Sequence, residues 1–212
     1  RNPAAKADAK RALGLSSRLP TLLVIGGSQG AQALNEAMLN AGPSFESFRE
    51  RFQILHITGH GERERAERTW RKLRIRHRVT AFTHNTATWF AATDVALTRS
   101  GAGTISELLA LNVPLLMVPY PHAADDHQRA NALWVAGQGA GVVVSQGDLA
   151  PGRLGELIET YVLSDINRAK AAQAAQQMAS PDAASVILDR ILTEIGHSST
   201  APDADEKERA AA

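Results

Sequence analysis

Short apolar runs alternate with helix-length segments along most of the chain. Six runs are typical of buried strands, namely residues 22–25, 52–57, 78–81, 94–98, 115–118 and 141–144. Five intervening segments have helical spacing or a helix cap, namely residues 31–41, 61–74, 85–92, 103–111 and 127–137. Because parallel strands need crossover connections, this alternation predicts an α/β fold, a Rossmann-like, doubly wound parallel six-stranded sheet with helices on both faces.

The strand pattern stops after Asp148, and three consecutive helices are predicted at residues 149–163, 165–178 and 182–195. We therefore expect residues 1–19 to be a linker with a short helix at 4–13. Residues 20–163 would form the sheet domain, and residues 164–195 would form C-terminal helices. The tail at 196–212 has no large apolar residue, so we expect it to be disordered.

The amino-acid composition limits the kinds of site and partner that the chain can have. The 212 residues include no cysteine, which excludes disulfides and thiolate zinc sites and favours a cytoplasmic location. A formal net charge of +1 gives no reason to expect a nucleic-acid partner, and no apolar run is long enough to cross a bilayer. The first residue is not Met, so we expect the chain to be a piece of a longer protein.

A glycine-rich loop follows the first predicted strand. Glycine lets the backbone turn sharply and lets an anion approach free N–H groups at a helix start, so a diphosphate could bind there. An ordinary strand-to-helix turn remains an alternative, whereas a dinucleotide fold is disfavoured because the G-x-G-x-x-G spacing is absent. The candidate binding residues are Gly27, Ser28, Gln29 and Gly30.

A second small-residue loop follows the fourth predicted strand. Ala102, Gly103 and Thr104 could contact phosphate, and Glu107, on the same helical face as Thr104, could accept both ribose hydroxyls. Thr-x-x-Glu is also a capping box, which needs no ligand. Arg99 could face phosphate, although we favour a structural role for it.

The third loop follows the fifth predicted strand and leads into a helix. His127, Gln128 and Asn131 lie where side chains could bond sugar hydroxyls, and Gln128 offers both a donor and an acceptor. Alternatively, Asp125 or Asp126 caps the helix and Gln128 is solvated. These histidines and aspartates have no recognised metal-ligand spacing, so we expect no metal.

The three loops should meet at one edge of the sheet. With the common strand order 3-2-1-4-5-6, the strands before the first two loops are neighbours, and the third strand lies beside them. Ligands of such sheets bind outside the carboxyl ends of the strands at this switch point. The sequence therefore predicts a single site formed by all three loops.

Three motifs resemble the MurG-type N-acetylglucosaminyltransferases of peptidoglycan synthesis, over roughly residues 2–141. They are Gly-Gly-Ser-Gln-Gly-Ala at 26–31, Arg-Ser-Gly-Ala-x-Thr-x-Ser-Glu at 99–107 and Asp-His-Gln-x-x-Asn-Ala at 126–132. The resemblance implies the C-terminal half of a GT-B glycosyltransferase, binding UDP-N-acetylglucosamine with inversion at the anomeric carbon and without metal or cofactor. It places Ser28 on the diphosphate, Thr83 beside the uracil, Glu107 on the ribose, and His127 and Gln128 on the sugar.

The same resemblance implies partners outside this chain. The acceptor, an undecaprenyl-linked muropeptide, would be held by a preceding N-terminal domain, which would also supply the general base. The full-length protein would be peripheral on the cytoplasmic face of the bacterial inner membrane. We therefore expect this chain to bind the donor and not to catalyse. The sequence identifies no catalytic residue on it, and we expect those residues on the N-terminal domain.

One departure from the family pattern concerns the linker. The family has Gly-Asn-Pro-Val-Arg there, whereas this chain begins Arg-Asn-Pro-Ala-Ala, so the arginine near the nucleotide is absent. Affinity for the diphosphate would then be lower, unless another cation such as Arg99 compensates.

Two alternatives remain open for the function of the chain. It could be half of a UDP-sugar epimerase, or a stand-alone UDP-sugar-binding subunit of a split transferase.

The basic stretch at 61–78 could contact an anionic membrane, but its interleaved glutamates favour a solvated helix with i,i+4 ion pairs.

Overall fold

Six parallel strands form the centre of the structure, whose computed structural model describes residues 3–26, 32–179 and 183–194. The strand order is β3-β2-β1-β4-β5-β6, and every neighbouring pair is parallel. The predicted α/β class and the six parallel strands are therefore confirmed, and the order is the common one on which the convergence of the three loops depends. The strands are β1 (Thr21–Ile25), β2 (Gln53–Ile57), β3 (Arg76–Thr80), β4 (Val95–Thr98), β5 (Leu115–Met117) and β6 (Gly141–Val143).

Helices connect the strands and continue beyond them. They are α1 (Pro3–Ala12), α2 (Gln32–Ala41), α3 (Arg63–Lys72), α4 (Thr86–Ala92), α5 (Ala102–Ala110), α6 (His127–Gly137), α7 (Pro151–Leu157), α8 (Asp165–Met178) and α9 (Ala183–Glu194). The predicted helix at 149–163 is instead α7 followed by a π-helical turn, Ile158–Leu163. A 3₁₀ helix at Gly42–Phe48 was not predicted. Among the described helices, none has the length and apolar character needed to cross a bilayer.

The four central strands, β1, β2, β4 and β5, are buried on both faces, which explains why they are almost uniformly apolar. Along β1, Leu22 and Val24 belong to one core cluster, whereas Leu23 and Ile25 belong to the other. Side chains alternate between the two faces of a strand, so the clusters lie on opposite sides of the sheet. Helices α2, α3 and α7 contribute to the first cluster, and α1, α4, α5, α6 and α8 contribute to the second.

The compact unit that contains the sheet extends to Ala179, and α9 belongs to a second unit. This division differs from the expected boundaries at residues 19 and 163. Ala9 and Leu15 are buried in the core, and so are Ala171 and Ala175 of α8. Alanines allow close packing but give a weak apolar signal in a sequence. The sequence pattern therefore did not place α1 and α8 in the sheet domain. The tail expected to be disordered, residues 196–212, lies outside the described residues.

Candidate functional site

The strands β1, β4 and β5 are adjacent, so their carboxyl ends lie side by side at one edge of the sheet. The first loop connects β1 to α2, and its four candidate residues lie outside the described residues. A diphosphate role for that loop therefore stays a prediction. Those four residues are Gly27, Ser28, Gln29 and Gly30.

The second loop leads directly into α5. This helix begins at Ala102, and its N-cap is Gly101, which makes no side-chain cap hydrogen bond. Thr104 is already the third residue of the helix, so Thr104 and Glu107 do not form the capping box that was an alternative. The backbone N–H groups of Ala102, Gly103 and Thr104 belong to the first turn, where no carbonyl four residues earlier is available within the helix. These groups can therefore donate to an anion at the positive end of the helix dipole.

Glu107 lies one turn further along α5 and is exposed to solvent. Within the described part of the chain, its carboxylate has no hydrogen-bond or ion-pair partner. An exposed carboxylate next to a helix start can accept hydrogen bonds from two hydroxyls at once, because each of its oxygens has free lone pairs.

Arg99, directly after β4, joins the second loop to the third. Its Nη1 donates to the carbonyls of Val118 and Pro119, each at 3.2 Å, and its Nη2 donates to Oε1 of Gln146 at 2.7 Å. The guanidinium carbon also lies 5.4 Å from the ring centroid of Tyr120. Burial lowers the pKa of Arg99, and Tyr120 partly opposes this shift. These contacts are those of a residue that positions a loop, and a direct phosphate contact by Arg99 stays untested.

The third loop holds two side-chain amides in fixed orientations. The N–H of Tyr120 donates to Gln128 Oε1 at 3.0 Å, and Asn131 Nδ2 donates to the carbonyl of Ser100 at 3.1 Å. A backbone N–H only donates and a carbonyl only accepts, so these partners determine which end of each amide is engaged. Among the residues that the structure describes, none engages the Nε2 donors of Gln128 or the Oδ1 acceptor of Asn131.

The start of α6 has unusual backbone geometry. Asp125 and Asp126 both have left-handed φ angles, 49° and 51°, and Asp126 is the N-cap without a side-chain cap bond. The aspartate cap considered as an alternative is therefore not formed. His127 Nδ1 lies 2.6 Å from the carbonyl oxygen of Ala124, and because a carbonyl only accepts, Nδ1 carries the proton and donates it in this hydrogen bond. Residues with left-handed φ cost free energy, and such strain is concentrated at functional loops.

Thr83 lies apart from these contacts, in the loop after the edge strand β3. Its Oγ1 accepts a hydrogen bond from the N–H of Asn85 at 3.1 Å, and Asn85 caps α4. The neighbouring rings of Phe82 and His84 contact each other edge to face, with centroids 4.9 Å apart. In the described part of the chain, no hydrogen bond joins Thr83 to another candidate site residue, so its placement beside a ligand stays a prediction.

The structure thus joins Arg99, Gln128 and Asn131 through the loop backbones, and sequence reasoning missed the groups that hold them. Gln146 lies 47 residues from Arg99 and comes from a 3₁₀ helix after β6. Tyr120 contributes its backbone N–H, which no residue pattern identifies. Ser100 contributes a backbone carbonyl, which a residue pattern likewise does not identify.

The relatives of the chain are named transferases. The model of the glycosyltransferase family 28 C-terminal domain matches residues 21–187. A protein of Pelobacter propionicus (strain DSM 2379 / NBRC 103807 / OttBd1) is 39% identical over 184 residues, which are 85% of this chain and 48% of that protein. A protein of Anaeromyxobacter sp. (strain Fw109-5) is 36% identical over 170 residues, 80% of this chain and 45% of that protein.

Both relatives carry the name UDP-N-acetylglucosamine--N-acetylmuramyl-(pentapeptide) pyrophosphoryl-undecaprenol N-acetylglucosamine transferase. The chain spans about half the length of these curated relatives. Among solved structures, MurG of Acinetobacter baumannii is similar with a TM-score of 0.73 and 29% identity, over 83% of this chain and 52% of that one. With a family match over most of its length, the chain belongs to the glycosyltransferase family 28 C-terminal domains.

Proposed function

We propose that the chain is the donor-binding half of an inverting glycosyltransferase that moves N-acetylglucosamine from UDP-N-acetylglucosamine to a lipid-linked muropeptide. The observation that carries this proposal is the start of α5 at the carboxyl edge of the sheet, where free N–H groups precede Glu107, whose carboxylate has no partner among the described residues. The names of the two relatives support the donor and the acceptor. Membership of a glycosyltransferase family favours this function over the UDP-sugar epimerase alternative.

The donor would lie across the three loops with its charge at the helix starts. The N–H groups of residues 102–104 would bind the diphosphate together with the loop at 27–30, and Glu107 would accept the ribose hydroxyls. Thr83 would lie beside the uracil. His127, Gln128 and Asn131 would bind the sugar hydroxyls, with Gln128 donating and Asn131 accepting.

These groups would bind and orient the donor, and they would also stabilise the leaving group. When an acceptor hydroxyl attacks the anomeric carbon, the bond to the diphosphate breaks and negative charge grows on the departing UDP. Helix N-termini fixed in advance stabilise such charge without reorganising. The proton of the attacking hydroxyl would pass to a base on a preceding domain, which would also hold the acceptor. The whole protein would lie on the cytoplasmic face of the inner membrane, where a lipid-linked acceptor is available.

The experiment that tests the proposal uses Glu107 and the ribose together. Removing the 2′-hydroxyl of UDP should cost one charge-assisted hydrogen bond, about 1.5–3 kcal/mol or roughly a tenfold to hundredfold loss in affinity. In Glu107→Ala, this preference for ribose should largely vanish, while the backbone contacts to the diphosphate remain. Isothermal titration of UDP and 2′-deoxy-UDP into both chains measures the four affinities.

Glu156→Ala is the control, because Glu156 is an exposed glutamate on α7, outside the three loops, where it forms a surface ion pair with Arg153. The control should keep the full ribose preference of the parent chain. If Glu107→Ala also keeps it and only melts at a lower temperature, the ribose role of Glu107 is wrong. If the parent chain binds neither ligand, the donor-binding function itself is wrong.

A further inference from the structure

A cavity of about 360 Å³ lies at the opposite edge of the sheet from the candidate donor site. Its walls come from the segment after α2 and from the turn between α3 and β3, at the amino ends of the strands. Gly42 forms one wall, where a Cβ would meet the side chain of Leu73 at 2.4 Å. A larger residue at this position would therefore require the Leu73 side chain to move.

Among the described residues that line the cavity, three have cationic side chains, Arg49, Lys72 and Arg74, and one has a carboxylate, Glu46. Arg49 Nη1 is 3.3 Å from Oε1 of Glu46, whose side chain is 78% exposed. The side chains of Lys72 and Arg74 have no hydrogen-bond or ion-pair partner in the part of the chain that the structure describes. The cavity therefore has an excess of positive charge that the described residues do not neutralise.

A buried donor of Arg49 is also unsatisfied. Its Nε is inaccessible to solvent and, across the described residues, has no acceptor. A buried polar group without a partner costs about 1–3 kcal/mol, which a water or an ion that reaches Nε would recover.

The backbone of Arg74 is a third, independent observation. Arg74 follows the end of α3 with φ of 56°, in the left-handed region where glycine is usual at a helix end. A side chain there costs free energy relative to glycine, and residues held in this region are concentrated at functional sites. Glycine at this position would avoid that cost but would remove a cation from the cavity.

The charge of the neighbouring helix has an ordinary explanation that does not extend to this cavity. Three arginines of α3 form ion pairs with glutamates three or four residues earlier, as expected for a solvated helix. Cations near a helix C-terminus also interact favourably with its dipole, which accounts for the position of Lys72. Neither effect accounts for a residue other than glycine at the left-handed position 74, or for the Nε of Arg49 that has no acceptor among the described residues.

We propose that Arg49, Lys72 and Arg74 form a second binding site, for a phosphate group. Phosphate oxygens accept several charge-assisted hydrogen bonds, and guanidinium groups match their geometry. This site is separate from the proposed donor site, since the two lie at opposite edges of the sheet. The phosphate belongs either to a small soluble ion or to the headgroup of an anionic phospholipid.

The first experiment follows the backbone amides of Leu73, Arg74 and Ile75 by NMR while inorganic phosphate is added to the ¹⁵N-labelled chain. These amides report on the cavity itself and are unaffected by failure of the proposed donor site. Lys72→Gln and Arg74→Gly should each weaken the local affinity about tenfold, the loss expected for one charge-assisted hydrogen bond. Arg74→Gly should at the same time raise the midpoint of thermal unfolding, because glycine adopts this φ without strain.

Arg71→Gln is the matched control, because it removes the same charge from α3 at a residue paired with Glu67 and outside the cavity. The control should keep the phosphate affinity of the parent chain.

Co-sedimentation with phosphatidylglycerol vesicles and with phosphatidylcholine vesicles tests whether the phosphate comes from a lipid. Binding only to the anionic vesicles, lost in Lys72→Gln and Arg74→Gly, identifies a lipid phosphate, whereas saturation by free phosphate identifies a soluble ion. Equal behaviour of the parent chain, both variants and the control in both experiments would overturn the proposal.

Discussion

His56 lies in the middle of β2 with both ring nitrogens engaged by buried side chains. The indole N–H of Trp70 donates to His56 Nδ1 at 3.2 Å, so the proton of the ring is on Nε2, which lies 3.0 Å from Asn35 Oδ1. The amide of Asn35 donates in turn to the carbonyl of Thr58 at 2.7 Å. Every polar group of this network therefore has a partner, and the neutral imidazole connects α2 and α3 to the sheet.

This burial predicts a specific dependence of stability on pH. Burial lowers the pKa of His56 from 6.5 to about 3. Below pH 6.5 the unfolded chain takes up a proton at this site that the folded chain does not, so the free energy of unfolding falls as pH falls. Between pH 7 and pH 5 the loss from His56 should be about 2 kcal/mol. Urea unfolding at both pH values measures it.

His56→Gln is the comparison variant, because glutamine can accept from Trp70 and donate to Asn35 but does not titrate. Its free energy of unfolding should depend less on pH by the same 2 kcal/mol or so, whatever its absolute stability. Asp94 does not confuse the result. Burial raises its pKa, but the ion pairs with Lys10 and Lys6 outweigh burial and lower it below 3.8, so its contribution is lost only at more acid pH. Identical pH dependence in both chains would refute the assignment to His56.

At the scale of elements, α1 is attached to the sheet by a buried ion cluster. Lys10 Nζ lies 2.5 Å from Asp94 Oδ2, and its side chain is 4% exposed. Lys6 Nζ lies 2.5 Å from the other carboxylate oxygen of Asp94, and the N–H of Thr21 donates to Oδ2 at 2.9 Å. A single carboxylate before β4 therefore holds α1 and the start of β1 together.

Removing that carboxylate should loosen α1 and destabilise the whole unit. Asp94→Asn leaves Lys10 buried without its ion pair, and breaking a buried pair in this way costs about 3–5 kcal/mol. Asp8→Asn is the control, because it breaks an exposed pair with Arg11 on the same helix, which should cost no more than about 1 kcal/mol. Denaturant midpoints monitored by circular dichroism compare the two variants. Equal midpoints would show that the cluster contributes nothing beyond a surface ion pair.

At the scale of the whole molecule, the chain should bind its donor and transfer nothing. The proposed donor groups lie on this chain, whereas the acceptor site and the base would belong to a preceding domain. Calorimetry should show UDP-N-acetylglucosamine binding, and binding should survive a chelator because helix N-termini can carry the diphosphate charge. No group of three His, Asp or Glu side chains that could hold a metal ion occurs among the described residues.

Two results would contradict this expectation. Measurable transfer to a lipid-linked muropeptide by the purified chain, free of host enzyme, would mean that the base lies on this chain. A large loss of donor affinity on adding a chelator would mean that a divalent cation completes the diphosphate site. A chain that binds the donor with and without chelator, and remains inactive with acceptor, agrees with the proposal.

Local sequence patterns were sufficient for the architecture of this protein. Six apolar runs separated by helical segments indicated six parallel strands, because parallel strands need crossover connections, and the strand order is the common one for such folds. The bounds of α6 and α8 agree residue for residue with the prediction, since each begins after polar or breaking residues and ends at a clear break. The convergence of the second and third loops followed from the strand order alone.

Only the tertiary structure decided how the loop residues are used. The helix start at Ala102 excluded a capping box that the sequence allowed. The contacts of Arg99 with the loop after β5, and of Lys10 with Asp94 at a separation of 84 residues, join positions that no local period relates. Spacing along a chain encodes helix faces and strand faces, which repeat over a few residues. The partner of a buried cation, in contrast, is whichever carbonyl or carboxylate lies close to it in the folded chain. That partner is set by proximity in space and not by spacing along the sequence.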